Sequence, residues 1–300
     1  MRALITGVQG FTGRYLAIEL HKAGYDVFGL AQLPDAVPPR GVKHVYACDL
    51  ADPLCLTRVV AEVQPDVVIH LAAIAFVAHG DIDAMYRTNL IGSRHLLEAL
   101  AQRGPGVRSV LLASSANVYG NATGGVLDER AQPAPANDYA VSKLAMEYLA
   151  RLYCERLPII VARPFNYTGL GQATSFLLPK IVSHAKLRAP VIELGNLDVA
   201  RDFSDVRAVA DVYRRLLEAP SAIGETFNVC SGHAYTLHDV LNMVRTLARY
   251  NFEVQVNPAF VRANEVKLLI GSRSKLQAVI GAMRDIPLSD TLKWMLTAKE

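Results

Sequence analysis

Near the start of the chain a short apolar run, Arg2-Ala-Leu-Ile-Thr6, enters a glycine-rich turn, Gly7-Val-Gln-Gly10-Phe-Thr-Gly13. Gly7 allows a tight turn out of a buried strand. Gly10 lets the backbone approach a pyrophosphate, and Gly13 lets the next helix pack close to the sheet. The helix N-terminus then offers free N–H groups and the positive end of its dipole to phosphate oxygens. The turn therefore predicts a strand–turn–helix unit that binds a dinucleotide, with Gly7, Gly10, Phe11, Thr12 and Gly13 against the cofactor.

The rest of the first half repeats this alternation. Leu16, Leu20 and Ala23 share one face of a helix over Thr12–Ala23, which Gly24 ends. Strands are predicted at Asp26–Ala31, Val42–Ala47, Val67–Ala73, Ser109–Ala113 and Ile159–Ala162, and helices at Pro53–Val63, Asn89–Gln102 and Tyr139–Glu155. Near-continuous apolar strands suit a parallel sheet covered on both faces. The fold class is α/β: a doubly wound parallel (Rossmann-type) sheet with a small mixed α/β C-terminal substrate lobe. After Arg163 the pattern weakens. Pro164–Gly171 reads as a loop, Ser175–Leu187 as a helix, Val191–Phe203 as a hairpin turning at Gly195-Asn196, and Thr236–Tyr250 as an amphipathic helix. The dinucleotide-binding domain is placed at 1–163 and 204–235, and the sugar-nucleotide lobe at 164–203 and 236–300.

Composition removes other classes. A net charge of +3, with no basic run interleaved with aromatics, gives no nucleic-acid surface. The longest apolar stretch, Val67–Ala78, is broken by His70 and is too short to span a bilayer, so no membrane partner is expected. Cys48, Cys55, Cys154 and Cys230 have no C-x-x-C spacing and read as buried small apolar residues in a reducing compartment, which implies a cytoplasmic location. The histidines show no metal-ligand pairing, so no metal is expected.

Two further motifs carry the chemistry. Ser114-Ser115 ends a strand, and Tyr139-Ala-Val-Ser-Lys143 opens a helix, so all would meet at the carboxyl edge of the sheet. Hydride transfer to a ketone builds negative charge on oxygen, and that oxygen must be protonated. A tyrosine can donate the proton if a lysine at i+4 favours its phenolate, and a serine hydroxyl can hold the carbonyl. Ser115, Tyr139 and Lys143 are thus the candidate catalytic residues. The second strand ends Gly29-Leu-Ala-Gln32 with no acid before Asp35, so nothing repels a ribose 2′-phosphate. NADP(H) is favoured over NAD(H), with Arg14 and Arg40 the nearest candidate cations.

These segments, with Asp49-Leu50, His70-Leu-Ala-Ala73, Asn89-Leu-Ile-Gly92, Ser114-Ser-Ala-Asn-Val-Tyr-Gly120 and Arg163-Pro-Phe-Asn166, resemble the extended short-chain dehydrogenase/reductases that act on nucleotide sugars. Pro164–Gln172, Leu194–Phe203 and Arg262-Ala-Asn-Glu265 resemble the branch handling GDP-4-keto-6-deoxy-mannose. The resemblance implies that Asp49 and Leu50 flank the adenine, and that Leu71, Ala72, Ala73, Asn89, Ala113 and Pro164 line the cofactor cleft. It implies that Asn117, Asn166, Lys180, Arg201, Arg262 and Glu265 meet a nucleotide-diphosphate sugar, for which forked guanidinium donors are well suited.

Among the resembling enzymes, 4,6-dehydratases carry a carboxylic acid at the position of Asn117, and a neutral amide cannot take a proton. Epimerase-reductases of the GDP-fucose type carry Cys there and His near position 176, where this chain has Asn117 and Phe176. The expectation is simple NADP(H)-dependent reduction at C4, most closely of GDP-4-keto-6-deoxy-D-mannose to GDP-D-rhamnose. A C4 epimerase with retained NAD and a non-catalytic dinucleotide sensor are the alternatives. The resemblance also implies a homodimer through a four-helix bundle: Leu144, Tyr148, Leu149 and Leu152 on the second helix are more apolar residues than one sheet-facing stripe requires, and the first helix adds Leu96, Leu97 and Leu100.

Overall fold

The computed structural model describes residues 1–35, 37–75, 80–103, 106–120, 125–261 and 266–298. The chain begins with β1 (Arg2–Thr6), α1 (Phe11–Lys22), β2 (Asp26–Ala31), β3 (Val42–Ala47), α2 (Pro53–Val63) and β4 (Val67–His70). A short α3 (Ile82–Tyr86) runs through a π-helical turn, Arg87–Gly92, into α4 (Ser93–Gln102). Then come β5 (Ser109–Ala113), a 3-10 turn (Ala116–Tyr119), α5 (Asp138–Arg151) and β6 (Ile159–Pro164). The remaining elements are β7 (Asn166–Thr168), α6 (Leu177–Lys186), β8 (Val191–Leu194), β9 (Ala200–Asp205), α7 (Val206–Leu217), β10 (Thr226–Val229), β11 (Ala234–Thr236), α8 (Leu237–Ala248), β12 (Glu253–Val256), β13 (Leu268–Leu269), α9 (Ser274–Ile280) and α10 (Leu288–Thr297).

Seven parallel strands form the main sheet in the order β10-β6-β5-β4-β1-β2-β3. Leu16, Leu20, Val209, Tyr213 and Leu216 of α1 and α7 cover one face. Leu56, Val60, Leu96, Leu97, Leu100 and Met146 of α2, α4 and α5 cover the other. Both layers bury β4 completely, which is why its sequence is apolar without alternation. Asp52 starts α2 by accepting from the N–H groups of Leu54 and Cys55, with Pro53 where a helical N–H has no partner.

The second lobe has its own core, in which Leu178 and Ile181 of α6, Leu241 of α8 and Leu292 of α10 pack together. Thr236 and Asp239 form a reciprocal capping box at the start of α8.

Several expectations are corrected. Val191–Phe203 is not a hairpin. β8 pairs in parallel with β12, and β9 pairs with β7, β11 and β13 in a different sheet. The segment at Gly195 passes under the loop at Phe260, so closely that a Cβ there would lie 2.1 Å from the Phe260 carbonyl oxygen. The supposed loop Pro164–Gly171 contains β7, and the last two α5 turns stop at Arg151 rather than Glu155. β4 ends at His70, three residues short of the expected strand. Cys48 and Cys230 are buried, but Cys55 is half-buried and Cys154 exposed. Leu96, Leu97 and Leu100 are not surplus either, since all three sit in the core beneath the sheet. The exposed apolar residues of this side are Ile91, Val141, Tyr148 and Leu152, the last 75 % exposed.

Candidate active site

The glycine turn ends at the carboxyl edge of β1. Gly7 has φ +69° and its N–H donates to the Leu30 carbonyl at 2.9 Å, which couples the turn to β2. A Cβ at Gly13 would lie 2.4 Å from the Gly7 oxygen and 2.6 Å from the Val8 oxygen, so only glycine lets α1 start this close to the turn. Gly10 caps α1 without a side chain, leaving its first N–H groups open to a phosphate. Phe11 stacks on Tyr167 at a centroid distance of 6.1 Å, and the Thr12 hydroxyl lies 2.8 Å from the Tyr167 hydroxyl. These contacts join the turn to β7.

Below the turn lies a buried polar seam that sequence reasoning missed. His70 Nδ1 meets Thr6 Oγ1 at 2.7 Å and its Nε2 meets Ser93 Oγ at 2.8 Å. Full burial, aided by the Lys143 charge, lowers the His70 pKa to about 3, so the ring is neutral and serves as a strut between β1, β4 and α4. The Thr6 hydroxyl also accepts from the Ala72 N–H, fixing the backbone of the Leu71–Ala73 segment beside the turn. Asn89 accepts from the Ile74 N–H at 2.8 Å and donates to the Ser142 hydroxyl, which ties this wall to α5.

Asn137 caps α5 by accepting from the Ala140 N–H, and so sets Tyr139 and Lys143 in its first turns. Both are buried, as is Ser115, whose Oγ accepts from the Asn117 N–H at 3.1 Å and starts the 3-10 turn. The structure thus brings Ser115, Asn117, Tyr139 and Lys143 to the same edge as the glycine turn. The Lys143 ammonium donates to the Ala113 carbonyl at 2.8 Å. Burial lowers the Lys143 pKa to about 8, with the Glu147 carboxylate opposing the shift. The Tyr139 phenol moves upward instead, chiefly by burial and then by Tyr167, with a hydrogen bond toward Ser115 acting the other way. The expected lowering of Tyr139 by Lys143 is therefore corrected: desolvation dominates and raises it.

Behind Lys143, Glu147 receives the Ser114 hydroxyl at 2.5 Å and the Arg163 guanidinium at 2.9 and 2.6 Å. Arg163 also donates to the Tyr119 hydroxyl, which donates to Asn228 at 2.7 Å. The spacing Lys143-x-x-x-Glu147 was the available signal for this network.

The remaining expected contacts are spread around the cleft. Asp49 accepts from Gln32 at 2.8 Å, and Leu50 is buried beside it. Arg14 is engaged by Asp35. Pro164 closes β6, and among the described residues the buried amide nitrogen of Asn166 on β7 has no hydrogen-bond partner. Lys180 lies in α6, where its ammonium donates to the Glu193 carbonyl and sits 4.3 Å over the Phe260 ring. Arg201 on β9 donates to the Ala200 and Lys267 carbonyls. Arg262 and Glu265 lie outside the described residues. Gly7, Gly10 and Gly13, with the open helix terminus, fit a dinucleotide pyrophosphate. Among the described residues no helix is long and apolar enough to cross a membrane.

A parallel sheet with a glycine cradle at its edge, beside a buried tyrosine–lysine pair, defines an NAD(P)H-dependent oxidoreductase. Residues 3–230 match the model of the NAD dependent epimerase/dehydratase family, and the chain belongs to that family. It is 34 % identical over 282 residues to GDP-6-deoxy-D-talose 4-dehydrogenase of Aggregatibacter actinomycetemcomitans, covering 94 % of this chain and 92 % of that protein. It is 35 % identical over 307 residues to GDP-6-deoxy-D-mannose reductase of Pseudomonas aeruginosa, covering 99 % and 96 %. The structure of RMD from Pseudomonas aeruginosa complexed with NADPH superposes with a TM-score of 0.85 at 32 % identity, over 99 % and 96 % of the two chains. A protein provisionally assigned as an epimerase, from Burkholderia cenocepacia J2315, superposes with a TM-score of 0.92 at 52 % identity, over 98 % and 96 %.

Proposed function

We propose that this protein reduces the C4 ketone of a nucleotide-linked 4-keto-6-deoxy sugar with NADP(H), taking GDP-4-keto-6-deoxy-D-mannose to GDP-D-rhamnose. The carrying observation is the cleft's proton inventory. Tyr139 is the buried donor at the sheet edge, and position 117, where a dehydratase needs an acid, is an amide. Bound dinucleotide supplies the hydride to the sugar carbon. Ser115 holds the carbonyl oxygen, Tyr139 gives it a proton, and the Lys143 charge stabilises the phenolate that results. Asn166 and Arg201 hold the diphosphate, together with Arg262, and Glu265 meets a ribose hydroxyl.

NADP(H) is favoured because β2 ends without an acid and Gln32, not a carboxylate, occupies its edge against Asp49. The name and bound cofactor of the Pseudomonas relatives support both choices. Residues 164–203 and 236–300 form the sugar-nucleotide lobe in this reading, and free thiols at all four cysteines fit a cytoplasmic enzyme. The exposed Ile91, in the π-helical turn before α4, with Val141 and Tyr148 of α5 and Leu152 at its end, form the homodimer contact.

The test is a spectrophotometric screen of NADPH and NADH loss with GDP-, dTDP- and UDP-4-keto-6-deoxy sugars. Fastest loss is expected with NADPH and the GDP sugar. Removal of water from GDP-mannose, or interconversion of C4 epimers without consumption of NADPH, would overturn the proposal.

A further inference from the structure

We infer that Tyr167 is a positioning residue for the dinucleotide: its phenol donates to the Thr12 hydroxyl and so turns the Thr12 proton toward the nicotinamide-side phosphate. This rests on the reading of the glycine turn as the dinucleotide site, and not on the identity of the sugar. Thr12 is the second residue of α1, and its Oγ1 lies 2.8 Å from the Tyr167 hydroxyl on β7. The Tyr167 ring stacks on Phe11, the residue before Thr12, with the planes 12° apart and the centroids 6.1 Å apart. Ring and hydroxyl are thus both held against the turn.

The proton count of the pair points to an acceptor. Two hydroxyls carry two protons, and the bond between them uses one. Among the described residues neither oxygen has a second partner, so one O–H is left to donate. A phenol is the more acidic hydroxyl, so Tyr167 gives its proton to Thr12 and the Thr12 proton is the spare one. It stands in the first turn of α1, where the N–H groups of Phe11, Thr12 and Gly13 precede the first helical bond, from Arg14 to the Gly10 carbonyl at 3.1 Å. Free N–H groups, the positive end of the helix dipole and an alcohol proton all suit a phosphate oxygen. The sheet order says which phosphate. In the dinucleotide reading the adenine lies past β2, beside Gln32 and Asp49. β7 follows β6, on the other side of β1, where Tyr139 and Lys143 stand. The hydroxyl pair therefore lies on the nicotinamide side of the turn, and Tyr167 is near enough to Tyr139 to push that phenol up.

A plain fastener of β7 to α1 would affect both halves of the cofactor alike, or neither. The positioning role instead separates them. Tyr167→Phe keeps the stacked ring and removes the donor, so NADPH affinity should fall about fivefold. Thr12→Val removes the hydrogen bond to the phosphate itself, so it should fall about tenfold. The double variant should be no worse than Thr12→Val, because Tyr167 acts through Thr12. In all three, 2′,5′-ADP should bind within about twofold of wild type, since it keeps the adenosine phosphates and lacks the nicotinamide-side one.

The measurement is calorimetric titration of wild type and the three variants with NADPH and with 2′,5′-ADP. NADH and 5′-AMP replace them if the wild type binds NADH more tightly. Tyr167→Phe with the NADPH affinity of wild type, or with both ligands weakened alike, would overturn the inference. Losses that add in the double variant would overturn it too, since Tyr167 would then act independently of Thr12. If Tyr167→Phe does not fold, Thr12→Val alone decides, an unchanged NADPH affinity counting against the hydroxyl pair. A selective loss of NADPH affinity without turnover on any 4-keto sugar would leave this inference standing and defeat the functional proposal. A wild type that binds neither dinucleotide would defeat both.

Discussion

Lys143→Met should make the protein more stable at neutral pH while abolishing its activity. An unfolded lysine titrates near 10.5, and in the folded site burial lowers this to about 8. Below pH 8 both states carry the proton, so the penalty for burying the charge is fully present. Between those values the unfolded chain holds more protons than the folded one, so stability rises with pH until the penalty is gone. At ~1.4 kcal/mol per pKa unit the difference is about 3 kcal/mol. Methionine keeps the apolar stem but cannot donate to the Ala113 carbonyl, a loss of about 1 kcal/mol. The net gain at pH 7 is therefore about 2 kcal/mol. With ~2.1 cal/mol/K of unfolding entropy per residue, a chain of 300 residues should melt about 3 °C higher. The assay is urea denaturation and thermal melting of both proteins at pH 7 and at pH 10, with the difference between them as the readout, since every other titrating group then cancels. Methionine should lead at pH 7, and the lead should shrink toward zero at pH 10. A variant no more stable than wild type at pH 7, or a lead that does not change with pH, would refute the argument. Cofactor affinity should fall in the same variant.

Tyr139→Phe keeps the buried ring and removes the proton donor, so turnover should be lost while NADPH affinity, read by fluorescence, stays within about twofold. Gly13→Ala forces a methyl to within 2.6 Å of two carbonyl oxygens in the turn, so it should both lower the melting temperature and abolish measurable dinucleotide binding. Leu152→Glu places a charge just past the end of α5, where the side chain is exposed. Light scattering at low micromolar concentration should then move from about twice 32.7 kDa to a monomer; a wild-type monomer would count against the bundle.

The sheet was legible because its signals are local. Val67-Val-Ile-His70 is apolar on both faces, Gly24 ends a helix at φ +85°, and Asp52-Pro53 starts one, so strand and helix bounds fall within a few residues of their expected places. The second lobe was less legible because its strands pair at long range. Nothing in Val191–Leu194 names β12, some 60 residues later, as its partner, and the glycine at 195 that looked like a hairpin turn marks a close crossing of another loop. The same limit explains the helices. Leu96, Leu97 and Leu100 looked like surplus apolar surface, but the sheet is wide enough to cover all three, and only depth in the fold distinguishes them from Tyr148 and Leu152.

The tyrosine–lysine pair was legible as a spacing, but its electrostatics were not. The i+4 geometry puts a cation beside a phenol and suggests a lowered tyrosine pKa. That argument takes both groups as solvated, and here both are buried, so desolvation is the largest cause of each shift. The tyrosine stays protonated and the lysine is held close to losing its charge. A proton donor for a ketone should hold its proton until negative charge develops on the substrate, so the upward shift of Tyr139 favours reduction rather than opposing it. The cost falls on Lys143, whose charge must survive burial to stabilise the phenolate once it forms. One turn beyond it, the Glu147 carboxylate accepts from Ser114 and Arg163 and ties α5 to β6. The reactive pair is thus a property of four elements, α5, β4, β5 and β6, which the sequence lists far apart and the parallel sheet brings to one edge.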